Sequence, residues 1–183
     1  ASVIGFDVDP AAALRAELDW QNHSFSVAPM AELSTHLRDA DLVMNCVRWD
    51  KTRRDHLIGR DMLPAMRAGA VIVDVACDRA GAVESCAPTT WDNPTYQVAG
   101  VTHFCVENLP SATPIASSQS FGDHMMEIIS PIAAHGLATA CRARPWLIDM
   151  LIAGGGALYC SRTATLQQRA RRSPDAFLAR GAV

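Results

Sequence analysis

The chain has 183 residues, 49% of them apolar and 19% charged, with a net charge of −3. That is enough for one domain with a substantial core and short for two. The slight acidity gives no basis for binding nucleic acid or an anionic membrane surface, and no apolar run approaches the ~20 residues of a membrane span. The longest candidate, residues 146–160, is interrupted by Asp149 and by the run Gly154, Gly155, Gly156. No signal-peptide pattern occurs in these residues, so a cytoplasmic protein is expected. Cys46, Cys77, Cys86, Cys105, Cys141 and Cys160 fall singly, without a C-x-x-C pair, as free buried thiols of a reduced compartment do. His124 has no second histidine at i+4, and no metal site is expected.

Taken in order, residues 2–6 (SVIGF) form a short apolar run closed by Asp7 and the turn-prone Asp9-Pro10. Residues 11–18 (AAALRAEL) have strong helix propensity. A weak strand at 25–27 leads to Pro29, which opens a helix through Leu37, and 42–47 (LVMNCV) is the next strand. The polar stretch 48–60 reads as a loop and 61–66 as a short helix. A strand at 70–75 is followed by a long loop, 77–96, and by a strand at 101–106.

Strands alternating with helices at this interval predict βαβ units and a parallel sheet. From residue 117 the pattern becomes helical: a helix capped by Ser118 and running to about His135, one from Pro145 to about Ile152, and one over 163–172. The expected organisation is a partial dinucleotide-binding domain over 1–116 and a helical segment over 117–183.

The chemistry concentrates where apolar runs meet polar turns. In GAVIVDVACDRAG (69–81) and GVTHFCVENLPSA (100–112), a buried strand ends in Asp or Asn followed by Gly or Pro. In open α/β sheets, ligands bind at that carboxyl edge. Asp78 is a carboxylate placed there to hold a substrate amine or steer an acid–base group; the alternative is a turn-forming aspartate. Asn108 offers an amide to a nicotinamide carboxamide or ribose, or simply ends the strand. Asp7, at a strand tip, accepts from the hydroxyls of an adenosine ribose, disfavouring a 2′-phosphate, or else Asp7 or Asp9 caps the following helix. Arg48, Trp49, Asp50, Lys51, Arg53 and Arg54 make a mixed-charge loop. It is either a solvated face or a lid over the site.

VIVDVACDRAG, PTTWDNPTY and GVTHFCVENLPSA, spaced as they are here, resemble the carboxyl-terminal half of the alanine dehydrogenase and pyridine nucleotide transhydrogenase family. HGLATACRARPWL and GGGALYCSR resemble that family's closing helices. The resemblance implies a Rossmann-type α/β fold, an NAD or NADP cofactor, and oxidoreductase activity. Within the family, Arg48-Trp49-Asp50, Arg54 to Ile58 and Cys77-Asp78-Arg79 are most similar to N5-(carboxyethyl)ornithine synthases, which join a 2-keto acid to an amino acid's amine. Alanine dehydrogenases carry a Gly- and Lys-containing stretch in place of the Trp-Asp loop and Gln-Gly in place of Arg79-Ala80.

Carried over, the resemblance makes Asp7 the ribose ligand and Asp78 a catalytic carboxylate. Cys46 and Val47 become part of the cofactor wall, and Val106, Asn108 and Leu109 face the nicotinamide. The substrates implied are a keto acid such as pyruvate and an amino acid, or ammonia in an alanine dehydrogenase.

The family's G-x-G-x-x-G loop and its keto-acid-binding Lys and His match no position in this sequence. In the strand order 3-2-1-4-5-6, the strand carrying that loop lies between the strand at Ser2 and the strand at Leu42. The expectation is therefore a partial sheet completed by an amino-terminal polypeptide or by oligomerisation. A non-catalytic partner module is the reading from another class.

Overall fold

The structure, a computed structural model, describes residues 1–21, 23–50, 53–77 and 81–179. They fall into two compact units, Ala1–Leu109 and Pro110–Val183.

In the first unit, strand β1 (Val3–Gly5) leads through Asp9 into helix α1 (Pro10–Asp19). The Asp9 carboxylate accepts from the Ala11 N–H at 2.9 Å, and Pro10 stands at the first helical position. Both features start a helix by meeting or removing an amide that has no partner inside it. Strand β2 (Phe25–Val27) pairs parallel with β1. The helix expected from Pro29 is two pieces, a 3-10 turn at Met30–Glu32 and helix α2 (Leu33–Leu37).

Strand β3 (Leu42–Asn45) ends before Cys46 and Val47, which the sequence had placed in the strand. A 3-10 turn at Arg60–Ala65, with Pro64 inside it, replaces the short helix expected there. Strand β4 (Val71–Asp74) is followed by β5 (Thr95–Val98) and β6 (Val101–Phe104).

Two sheets result. One is the β1–β2 pair; the other has the order β3-β4-β6-β5, with β3, β4 and β6 parallel and β5 antiparallel on β6. Strand β5 falls partly in the expected 77–96 loop. Ala99 and Gly100, at φ 51° and 81°, turn the chain back at once. Positive φ at both central residues is the type I′ hairpin geometry that matches strand twist.

The core lies on the four-stranded sheet, where Ile72, Val101, Leu63, Val83 and Ile58 are buried together. Burying a side chain such as Ile72 contributes about 2 kcal/mol. Among the described residues, β1 bonds only to β2 and β3 only to β4, so each keeps one unpaired edge. Val3, Ile4, Leu42 and Met44 on those strands are exposed apolar side chains.

The second unit is mainly helical. Helix α3 (Pro114–His135) starts at Pro114 rather than at Ser118, because proline at the first turn is already set to the helical φ. It ends at Gly136, whose φ of 75° stops it. Helices α4 (Leu137–Ala143) and α5 (Trp146–Asp149) follow. The buried Ala140, Cys141 and Leu147 of these two pack with Ile128 and Ile132 of α3. An apolar cleft of about 160 Å³ opens between Ile128, Ile132, Leu137, Leu147, Met150 and Leu151.

The glycine run makes a small hairpin, β7 (Ala153–Gly154) with β8 (Ala157–Leu158), turning at Gly155 and Gly156, which have φ of 53° and 76°. Helix α6 (Ser161–Leu166) is shorter than the expected 163–172, and α7 (Asp175–Ala179) follows Ser173-Pro174. No helix among the described residues is long and apolar enough to cross a membrane.

Candidate functional site

Because β3, β4 and β6 are parallel, their carboxyl ends lie at one edge of the sheet. Residues that follow each strand are therefore delivered to the same place. The polar centre of that edge is a pair in strand register, Asn45 on β3 and Asp74 on β4. Asn45 Nδ2 donates to Asp74 Oδ1 at 2.7 Å, and the side chains are 7% and 1% exposed. Asn45 Oδ1 accepts from the Val47 N–H at 3.2 Å, so the same side chain shapes the turn leaving β3. A buried carboxylate is costly without such donors.

Below the edge, His103 of β6 is fully buried. Its Nδ1 lies 3.0 Å from the Val101 carbonyl and its Nε2 lies 2.7 Å from Ser85 Oγ. Burial lowers its pKa, so the neutral ring donates from Nδ1 and accepts the Ser85 hydroxyl proton at Nε2. The pair resembles a nucleophilic dyad, but Ser85 is 3% exposed and reaches no solvent-facing substrate.

Tyr96, opposite His103 in the β5–β6 register, stacks on the imidazole with ring centroids 5.1 Å apart. Its hydroxyl donates to the Ser85 carbonyl at 2.9 Å and accepts from the Ala87 N–H at 2.7 Å. These contacts hold the segment 85–87 under the edge.

The loops above are partly pinned. His56 Nδ1 lies 2.8 Å from the Gly81 carbonyl, and the Leu57 N–H donates to the Ala82 carbonyl at 2.8 Å. In the charged loop after β3, the Arg53 guanidinium lies 4.3 Å over the Trp49 ring and pairs with Asp55. That pairing holds the exposed Asp55 carboxyl down to about 2. The Trp49 indole N–H is covered and has no acceptor among the described residues. Lys51 lies outside the described residues.

The sequence-derived site residues divide into three groups. Cys46 and Val47 follow β3, both exposed, at the edge. Val106, Asn108 and Leu109 follow β6 at the same edge: Val106 is buried and bridged to Thr89, Asn108 is exposed with φ 57°, and Leu109 is half-buried. Asp7 belongs to the other sheet, at the carboxyl end of β1, where Oδ1 accepts from the Asp9 N–H at 2.8 Å. The helix cap is Asp9, not Asp7. Asp78 lies outside the described residues; its neighbour Cys77 lies just beyond β4.

Asn45, Ser85, His103 and the surroundings of Cys105 were not singled out from the sequence. Asn45 and His103 do carry a signal there, a polar residue inside an apolar strand. Their partners, Asp74 and Ser85, lie 29 and 18 residues away in the chain.

The donor set fits two ends of a dinucleotide. Asp7 is exposed, and its second carboxylate oxygen accepts no hydrogen bond from the described residues, as a ribose diol requires. Exposed Val47, half-buried Leu109 and exposed Asn108 offer apolar surface and an amide, as a nicotinamide requires. No G-x-G-x-x-G run occurs, so no phosphate contact is assigned to this chain.

Comparison with known proteins agrees with the fold. Alanine dehydrogenase of Mycobacterium tuberculosis is 32% identical over 164 residues, 90% of this chain and 44% of that protein. Alanine dehydrogenase of Halomonas elongata is 38% identical over 112 residues, 61% of this chain and 30% of that protein. Thus the chain spans about half the length, or less, of the curated relatives it matches.

A solved L-alanine dehydrogenase superposes with a TM-score of 0.74 at 29% identity, covering 92% of this chain and 46% of that one. A transhydrogenase from Sinorhizobium meliloti shares the fold, with a TM-score of 0.53 at 24% identity over 70% of this chain and 39% of that one. The family model for the alanine dehydrogenase/PNT C-terminal domain matches residues 1–161, and the chain belongs to that family.

Proposed function

We propose that this chain supplies the nicotinamide side of an NAD(P)-dependent oxidoreductase that reductively joins an amine to a 2-keto acid such as pyruvate, with an amino acid as the amine donor. The observation that carries this reading is the parallel register of β3, β4 and β6, which brings three post-strand turns to one edge. The cofactor, when bound, supplies a hydride.

The chain's own part is orientation and proton handling. Val47 and Leu109 form an apolar wall for a flat ring, and the Asn108 amide fixes its carboxamide. Asp7 holds the ribose diol, and Asp78 steers the substrate amine and its proton. Cys46 and Val106 line the same wall. The keto-acid-binding Lys and His belong to a complementary amino-terminal polypeptide or to another subunit.

The run Arg48-Trp49-Asp50, similar to that of N5-(carboxyethyl)ornithine synthases, favours an amino acid as the second substrate. A second reading, ammonia as the amine, is favoured by the alanine dehydrogenases among the relatives. Mixing the chain with its amino-terminal complement and following NADH oxidation separates the readings. Faster turnover with pyruvate plus ornithine than with pyruvate plus ammonia supports the first, and the reverse supports the second. No turnover with a complement that binds leaves a non-catalytic dinucleotide-fold module.

A further inference from the structure

The chemistry proposed for this edge leaves Asn45 without a role, although three hydrogen bonds meet on it. Its Nδ2 donates to Asp74 Oδ1 at 2.7 Å, and its Oδ1 accepts from the Val47 N–H at 3.2 Å. Its main-chain carbonyl accepts from the Val75 N–H at 3.0 Å. Asn45 closes β3 and Asp74 closes β4, in register. One side chain therefore joins two strand ends to the turn that follows the first of them.

The position asks for an amide. A carboxylate there would set a second acceptor against Asp74, and an apolar side chain would leave both partners unmet, whereas an amide donates at one end and accepts at the other. Asp74 also fixes which end faces which. With Nδ2 drawn to the carboxylate, Oδ1 is turned to the Val47 N–H. Cys46 and Val47 themselves are exposed and lie outside the core cluster, so burial does little to fix their turn.

We propose that Asn45 is a positioning residue for the cofactor: anchored by Asp74, it holds the Cys46–Val47 turn where Val47 meets the nicotinamide ring. The inference rests on Val47 being part of the nicotinamide wall. Asn45 itself, nearly sealed from solvent, touches no cofactor and acts through Val47.

The test compares Asn45→Ala with Asn45→Ser. Alanine removes both side-chain bonds. Serine keeps a hydroxyl that accepts from the N–H two residues on, but it is shorter and stops short of Asp74. In the chain alone, both variants should unfold at lower urea, since both lose the donor to Asp74. Exchange of the Val47 amide should quicken about tenfold in Asn45→Ala and stay near wild type in Asn45→Ser. In the protein completed by its amino-terminal polypeptide, Asn45→Ala should raise the Kd for NADH about tenfold, and Asn45→Ser less than about threefold. The Kd for ADP-ribose, which lacks the nicotinamide, should not change in either.

A merely structural role gives another pattern: serine as poor as alanine, with NADH and ADP-ribose weakened alike. That pattern, or Val47 exchange unchanged in Asn45→Ala, overturns the proposal and leaves the nicotinamide wall standing. NADH that binds the completed wild-type protein without slowing Val47 exchange, or that does not bind it, removes the wall and the proposal together. The two failures are therefore told apart by the wild-type protein.

Discussion

Asn45 and Asp74 face each other across the first two strands of the four-stranded sheet, 2.7 Å apart and nearly sealed from solvent. Asn45→Ala removes a donor from a buried carboxylate and the acceptor for the Val47 N–H. The expected cost is about 2–3 kcal/mol of unfolding free energy, read by urea denaturation. Asp74→Asn, which removes the buried charge itself, should cost less. Equal losses in the two variants would place the effect in packing rather than in the charge-assisted bond.

His103 predicts an acid-sensitive fold. Burial lowers its pKa in the native state, against about 6.5 in the unfolded chain. Between those two values the unfolded state binds more protons, so stability rises with pH there. The contribution is complete above about pH 6.5 and is lost as pH falls through the folded value. Denaturation midpoints at pH 5, 6, 7 and 8 should show that fall, and His103→Gln, which does not titrate, should flatten that part of the profile even if its midpoint is lower. A wild-type profile that stays flat through this range removes His103 as its source.

Asp7 is exposed and outside the core. Asp7→Ala should therefore leave the unfolding free energy within about 1 kcal/mol. In the complemented enzyme it should raise the KM for NADH about tenfold, the loss of roughly 1.4 kcal/mol of binding. Asp7→Ser should also narrow the preference for NADH over NADPH. An unchanged KM would return Asp7 to the role of a turn residue holding the Asp9 amide.

Asp78→Asn should abolish most turnover in the complemented enzyme while the Kd for NADH stays the same. Equal turnover would take Asp78 off the list of catalytic residues.

Hydrogen exchange should rank the strands. β4 and β6 have neighbours on both sides, whereas β1 and β3 each keep an open edge. Amides of β4 and β6 should exchange slowest in the isolated chain, and those of β1 fastest. A bound amino-terminal complement that adds a strand should slow β1 and β3 selectively. The isolated chain is expected to bind NADH more weakly than micromolar, which a fluorescence titration checks.

The strands at 42–47, 70–75 and 101–106 were legible because short, mostly apolar runs bounded by turn residues have few other solutions in a parallel sheet. β5 was not, since Thr95–Val98 is short and half polar, and only pairing with β6 makes it a strand. The same limit applied to α6 and to the hairpin at Ala153 to Leu158, where weak local preferences yield to contacts made elsewhere in the chain.

The residues of the site divide in the same way. The pattern of strands and turns by itself determined the α/β class and nominated Asp7, Asp78 and Asn108 as polar groups at strand ends, because those properties are local. The resemblance carried by the motifs added Cys46, Val47, Val106 and Leu109. Only the tertiary structure decided that Asn45 holds Asp74, that Ser85 and Tyr96 enclose His103, and that Cys77, Cys86 and Cys105, scattered along the sequence, share one core. Those pairings depend on strand register and on the path of a long loop, which bring together residues whose separation along the chain carries no information about their distance in space.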